Sequence, residues 1–244
     1  MPIRPSRTLL FIAGENELEA FFGDCPKGKE LIYDDWDYYE APSLSIVHTG
    51  MGSINAACAA HSFIKKFRPN NCLQVGLSGA HVDSLKIGDI LLGKDVKEFS
   101  RHTKAPSGKI IPRSHFIQRG KDITPMSHFP GDVHLLQACS SLLERNGLSF
   151  QEAIVGSADQ FNRNPQFIDQ IHSIFQTWCE DMESSAIAQV AKRLDTPFLT
   201  IRVISNNELT THGKSEEGKQ LSDIAFQKLT LLGQVFLQHF PHDI

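Results

Sequence analysis

The feature that most constrains this chain is the alternation of short, β-rich apolar runs with segments of helical period along its whole length. "TLLFIAG" (Thr8–Gly14) reads as a buried strand, and "ENELEAFF" then switches to helical spacing. "LSIVHTG" (Leu44–Gly50) is a second strand, followed by a helix over Ser53–Phe67 with Ala57, Ala60, Phe63 and Ile64 on one face. "NCLQVG" (Asn71–Gly76) is a third strand with "LSGAH" as its exit loop, and "LKIGDILLG" (Leu85–Gly93) turns into a fourth. Downstream, a helix over Asp132–Asn146 precedes the strand "FQEAIVG" and the loop "SADQFNRNP". A helix near Gln166–Phe175, the segment "TWCEDME" and a helix over Ser184–Leu194 come next. "PFLTIRVIS" is the last strong strand, and an amphipathic helix over Glu216–His239 closes the chain. Strands alternating with helices predict an α/β fold with a largely parallel sheet and helices on both faces.

One stretch breaks the pattern. Residues 99–131 are rich in Pro, Gly, Ser, His and basic side chains, and read as an irregular segment. A functional loop or lid and a disordered excursion both fit that composition. No linker and no internal repeat divides the sequence, so residues 1–244 are expected to form a single domain. A hydrophobic content of 41% is enough for a full core. The net charge of −4 lacks the basic footprint of a nucleic-acid binder. Cys25, Cys58, Cys72, Cys139 and Cys179 have no metal-ligand or redox spacing, and their odd count predicts reduced thiols in a cytoplasmic protein. The basic start followed by "LLFIA" is too short for a secretory leader and runs at once into glutamates, so it is read as the first strand. No apolar run reaches membrane-spanning length, so no membrane partner is expected.

In folds of this kind, ligands sit beyond the carboxyl ends of the strands. Those ends are Gly14–Glu19, Thr49–Gly52, Gly76–Ala80, Ser157–Asn162, Asp181–Glu183 and Ser205–Glu208. They carry glycines, small hydroxyls and carboxylates, which suit the hydroxyl groups of a sugar. "TGMGSINAA" follows a strand and opens a helix, so the amides around Gly52 can hold an anion or a sugar oxygen. Close packing of helix on sheet accounts for the glycine equally well. The segment lacks the dinucleotide and Walker patterns. In "CEDMESSAIAQV", Asp181 and Glu183 stand at a helix start, where acidic residues are favourable without any ligand. A methionine held between two carboxylates is less well explained that way. An apolar thioether can pack on a sugar face while a carboxylate accepts both protons of a cis-diol. The polar run Ser205–Glu208 at the end of "PFLTIRVIS" reads either as a turn or as a base-recognition rim.

Taken together, "TGMGSINAA", "GLSGAHVDSLKIGDILL", "GSADQF" and "DMESSAIAQVAKRLDTPFLTIRVISN" resemble the nucleoside phosphorylase/nucleosidase superfamily. Within it they are most similar to bacterial 5′-methylthioadenosine/S-adenosylhomocysteine nucleosidases. The similarity runs from Leu9 to the final helix, with gaps at 99–131 and 209–216. It implies a three-layer α/β/α fold with a mixed, largely parallel central sheet. It also implies hydrolysis of a purine N-glycosidic bond in a 5′-substituted nucleoside, with no cofactor and no metal, by a cytoplasmic homodimer whose partner chain closes the 5′ side. By resemblance, Glu17 activates the water, with Glu15 and Glu19 as competitors in the same helix. Met182, Glu183 and Gly52 hold the ribose, and Phe161 stacks on the base. Asp181, Leu77, Ser78, Ser205 and Asn206 line the base.

The sequence departs from the family at the base end. Where the family has an aspartate that donates to the purine N7, this chain has Asn206, which can donate a hydrogen bond but cannot give up a proton. That favours a 6-oxopurine, or a proton supplied by Glu208 or a water. It keeps open a futalosine hydrolase releasing hypoxanthine, a purine nucleoside phosphorylase, and a nucleoside-binding protein with little turnover. Asp181 is a shorter arm than the glutamate usual at its place. Phosphorolysis requires cations for the phosphate. "AGENELEAFF" has no arginine, Gln74 stands where one is expected, and Leu77 replaces a hydroxyl. Hydrolysis is therefore favoured.

Overall fold

The apolar runs form strands whose successive side chains turn to opposite sides of a sheet covered on both faces. In β1 (Thr8–Ile12), Leu9 and Phe11 join one apolar cluster, while Leu10 and Ile12 join another. The computed structural model describes residues 8–41, 44–210 and 215–240, with only the backbone described over 215–222. The amino-terminal residues 1–7, read above as a lead-in to the first strand, lie outside the described residues.

After β1 come α1 (Glu15–Phe22), the hairpin β2 (Lys29–Tyr33) and β3 (Trp36–Glu40), then β4 (Leu44–His48) and α2 (Ser53–Phe67). The middle of the chain holds β5 (Asn71–Ala80), β6 (Ile90–Glu98), β7 (His102–Lys104), β8 (Ile110–Pro112), β9 (His115–Arg119), β10 (Asp122–Met126) and β11 (Phe129–Pro130). It ends with α3 (Val133–Arg145), β12 (Phe150–Ser157), α4 (Pro165–Phe175), β13 (Cys179–Asp181), α5 (Ser184–Arg193), β14 (Phe198–Asn206) and α6 (Ser215–His239).

The central sheet is mixed, and its longest ladders, β6 with β12 and β5 with β14, are parallel. β1 lies parallel between β4 and β5. The antiparallel pairs are β2 with β3, β3 with β4, β6 with β11, β13 with β5 and β14 with β6. β14 bonds both β5 and β6, and β13 bonds both β5 and β12, so these five strands close into a ring beside the open part of the sheet. β5 belongs to both parts. Its first half pairs with β1, and its end pairs with β13 and β14.

The layers follow from side-chain alternation. α2 and α5 bury Ala56, Ala59, Ala60, Phe63, Ile187 and Ala191 on one face. α1, α3 and α6 bury Phe21, Phe22, Leu143, Leu229 and Phe236 on the other. α4 covers a small satellite core with Phe99 and Ile110. The fold is thus the expected α/β/α stack. Among the described residues, no helix is long and apolar enough to cross a membrane.

Two expectations are corrected. Residues 99–131 are not irregular: β7–β8 and β9–β10 are antiparallel hairpins, and β11 adds an edge strand to β6. Gly108 and Gly120 take left-handed φ values of 83° and 60° where these hairpins turn, the conformation glycine adopts without strain. "LSGAH" is not an exit loop, because Leu77–Ala80 continue β5 and pair with β14 and β13.

Candidate active site

A cavity of about 540 Å³ opens where all six predicted strand ends meet. Gly14, Glu15 and Glu17 reach it from the start of α1, Met51 from the turn after β4, and Leu77, Ser78 and Gly79 from β5. Gln160 and Phe161 follow β12, Asp181 ends β13 with Met182 and Glu183 after it, and Ser205 and Asn206 end β14. Of the residues 99–131 suggested as a lid, none lines this cavity.

Glu17 is fixed by two backbone amides. Gly14 N–H donates to its Oε2 at 2.9 Å, and Leu77 N–H donates to Oε1 at 2.6 Å. Its competitors are placed differently: Glu15 lines the cavity rim, and Glu19 turns to the surface against Lys27 at 2.5 Å. Gly76 keeps this corner open. A Cβ there would lie 3.0 Å from both Glu17 Oε1 and Arg202 Nη1.

Glu183 accepts Gly52 N–H at 2.8 Å, which joins the glycine turn before α2 to the start of α5. Gly52 serves through this amide and is not itself in the cavity wall. Burial raises the Glu183 carboxyl to about 7, with the charge of Asp181 adding to it, against the pull of Arg202 and the Gly52 amide. Arg202 is buried, with Nη2 3.3 Å from Asp181 Oδ2, 3.8 Å from Glu183 Oε2, and donating to Leu77 O at 2.8 Å. Burial opposes its charge, but Asp181, Glu17 and Glu183 outweigh that and hold it protonated.

Asp181 lines the cavity, and its carboxylate is also used within the scaffold. Oδ1 accepts the amides of Glu183 at 3.2 Å and Ser184 at 3.1 Å, and Oδ2 takes the Ser184 hydroxyl and Arg202. These contacts consume the roughly four acceptor sites of a carboxylate. Gln74, at the place where a phosphate-binding arginine is expected, is buried, accepts from Ser184 Oγ at 2.6 Å and does not line the cavity.

The rim at the end of β14 separates into three roles. Asn206 lines the cavity. Asn207 points into the protein and donates to Val82 O at 3.0 Å and Leu85 O at 2.9 Å. Glu208 lies outside the wall and accepts from Asn206 Nδ2 at 3.3 Å, while Ser205 Oγ reaches Asn206 Oδ1 at 2.9 Å. Phe161 is 63% exposed on the cavity side, with Arg163 over its ring at 5.2 Å. An aromatic left open in a cavity wall is available to stack on a planar ligand.

Sequence reasoning missed His48, Glu180 and Phe226, all of which line the cavity. Glu180 is buried and accepts Asn162 N–H at 3.0 Å and His81 Nε2 at 3.0 Å. Phe226 comes from α6, and no local pattern marks it. Among the described residues, no three His, Cys, Asp or Glu side chains gather as a metal-ligand set.

The chamber has a largely apolar wall, and its charged side chains are mostly carboxylates that already neutralise its arginine. Such a site stabilises positive charge developing on a bound sugar. It offers little to a free phosphate.

Comparison with known proteins agrees with this geometry. The family model described as the phosphorylase superfamily matches residues 37–234. A 5′-methylthioadenosine/S-adenosylhomocysteine nucleosidase of Maridesulfovibrio salexigens is 29% identical over 204 residues, covering 81% of this chain and 84% of that protein. The nucleosidase of the same name from Bacillus velezensis is 24% identical, over 78% of this chain and 75% of its own length. Among solved structures, the Helicobacter pylori nucleosidase of that name superposes with a TM-score of 0.77 at 16% identity, covering 96% of this chain and 98% of that one. A futalosine hydrolase mutant from Helicobacter pylori superposes with a TM-score of 0.76 at 16% identity, covering 94% and 98%. With the family pattern matched over most of its length and the fold shared throughout, the chain belongs to the phosphorylase superfamily.

Proposed function

We propose that this protein is a purine nucleosidase, an enzyme that hydrolyses the N-glycosidic bond of a 5′-substituted nucleoside to a free base and a ribose derivative. The observation that carries the reading is the state of Arg202. It is the arginine in the cavity wall, and Asp181, Glu183 and the Leu77 carbonyl already engage it. Phosphorolysis needs a cation free to bind the attacking anion, whereas hydrolysis needs only an activated water and carboxylates around an oxocarbenium-like sugar.

In this reading, Met182 packs on the ribose and Glu183 accepts its hydroxyl protons. Glu17, oriented by the Gly14 and Leu77 amides, takes the proton from the attacking water. Phe161 stacks on the base, Leu77, Ser78 and Ser205 border it, and Asn206 donates to its N7. The names of the curated relatives support a substrate of the methylthioadenosine/S-adenosylhomocysteine type. A second reading, a hydrolase of a futalosine-type hypoxanthine nucleoside, is favoured by one residue. Asn206 stands where an acid would assist departure of adenine.

We read residues 1–244 as one catalytic unit. A homodimer is supported by the exposed apolar side chains of Met51, in the cavity wall, and Ile54, in α2, which are 69% and 76% exposed. A cytoplasmic location is supported by the five free cysteines. The test is chromatography of base released from methylthioadenosine, S-adenosylhomocysteine, inosine and futalosine, with and without phosphate. Release in phosphate-free buffer is expected. A strict phosphate requirement would assign the chain to the phosphorylases.

A further inference from the structure

The loop that carries Phe161 runs between two open spaces. On one side is the candidate active-site cavity, and on the other a second hollow of about 390 Å³ lined in part by Ser53, Asp159, Gln160 and Gln189. A segment with open space on both sides is held by its hydrogen bonds more than by packing. Two of these fasten the loop to β13: Ala158 N–H donates to Asp181 O at 2.9 Å, and Asn162 N–H donates to Glu180 Oε1 at 3.0 Å. A further tie comes from an exposed residue with no role in the reading above. Asp159 Oδ1 accepts Ser53 N–H at 2.7 Å, and its Oδ2 accepts the Ser53 hydroxyl.

These bonds lie next to the one that holds Glu183. Ser53 is the first residue of α2, and Gly52 precedes it. Gly52 N–H donates to Glu183, so two adjacent amides at one helix start are held by carboxylates from two different segments. Gly52 has no side chain to cap the helix, and the two carboxylates satisfy its first amides instead. The two peptide planes share the Gly52 Cα, so displacing one displaces the other.

Resting on the nucleosidase reading, we propose that Asp159 is a positioning residue for base and sugar at once: it fixes the Phe161 loop against α2 and, through Ser53 and Gly52, sets the carboxylate of Glu183. Glu183 is faced by Asp181 from β13, Arg202 from β14, Glu17 from α1 and the Gly52 amide from the turn before α2. Arg202 and the amide favour its charge, and the two acids oppose it. Loosening the amide therefore raises the carboxyl further, and the charge is gained only at higher pH. Loss of the Asp159 charge by itself acts in the other direction, because a nearby negative charge raises a carboxyl. The sign of the shift separates positioning from plain electrostatics.

The test compares Asp159→Ala, Asp159→Asn and Ser53→Pro with the wild type. Proline fits the first position of a helix and removes both Ser53 donors while leaving Asp159 in place. In Asp159→Ala the rising limb of kcat/KM moves up by about half a pH unit or more. KM rises about threefold to thirtyfold as Phe161 loosens, and stays raised at pH 8.5, where kcat has recovered. Ser53→Pro does the same, and the double variant is no worse than either single one. Asp159→Asn keeps an oxygen for the Ser53 amide and recovers most of the loss. In nitrogen-15-labelled protein the Gly52 amide proton reports the ionisation of Glu183 without turnover, and its titration midpoint moves up in Asp159→Ala. A limb and an amide midpoint that stay in place or move down, even with a lower Tm, overturn the inference and leave the nucleosidase reading standing. Failure of the wild type to cleave any nucleoside overturns that reading instead, and the amide titration still decides whether Asp159 sets Glu183.

Discussion

Gly52 N–H donates to Glu183 Oε1 at 2.8 Å, a bond that spans 131 positions of sequence and ties the turn before α2 to the head of α5. It holds a carboxylate in the cavity wall in spite of its burial. Because burial and Asp181 raise that carboxyl to about 7 from an ordinary 4.5, its charge is lost over a pH range the cell approaches. The ionised form is the one that stabilises a cationic sugar. The account predicts that kcat/KM rises with pH through about 7 on a limb that Glu183→Gln lacks, with kcat in the variant down at least a hundredfold. Rates across pH 5.5–8.5 check this, and unchanged kcat/KM in the variant would remove Glu183 from the mechanism.

The same shift predicts a stability slope. A carboxyl group with a folded-state pKa above its unfolded value binds its proton more tightly in the folded protein. Stability from this group is therefore full below about 4.5 and falls as pH rises to about 7. Thermal unfolding of the wild type should show this decline, and Glu183→Gln should flatten it.

The proposed role gives Phe161 a part in binding and little in folding. Its ring is 63% exposed, so Phe161→Ala should change stability by less than about 0.5 kcal/mol. Loss of base stacking should cost about 1–3 kcal/mol of binding, read as a rise in KM of about fivefold to a hundredfold. A large loss of thermal stability with KM intact would place the ring in the core instead.

Arg202 is the converse case. It is buried between Asp181 and Glu183, and Arg202→Met leaves those carboxylates without their counter-charge. Breaking a buried pair from one side costs about 3–5 kcal/mol, which lowers Tm by about 10 °C in a domain of this size. A differential scanning measurement showing no loss would mean the carboxylates are neutralised some other way.

Much of this architecture was legible because periodicity and punctuation agree. The α2 helix begins at Ser53 and ends at Phe67 as its spacing predicts, and the six strand ends named from sequence all supply the cavity. The β2–β3 hairpin was not seen. Its two-residue turn is Asp34–Asp35, both with positive φ, and neither strand shows a clean apolar alternation. The hairpins in 99–131 were hidden for a similar reason, since their strands are short and mostly exposed. At the site, Glu17 and Glu183 were readable from position, but the division of labour between Glu180 and Asp181 was not. It depends on the antiparallel register of β13 against β5, a long-range pairing with no local signal. Both line the cavity, but Asp181 also carries the start of α5, while Glu180 is held by Asn162 and His81.

The most direct test of the central claim is the fate of the attacking oxygen. The protein would be incubated with a cleaved nucleoside in water enriched in oxygen-18, without phosphate, and the products weighed by mass spectrometry. The account predicts one heavy oxygen in the released sugar and none in the base. A sugar phosphate formed only when phosphate is supplied, or a nucleoside bound and returned intact, would contradict it.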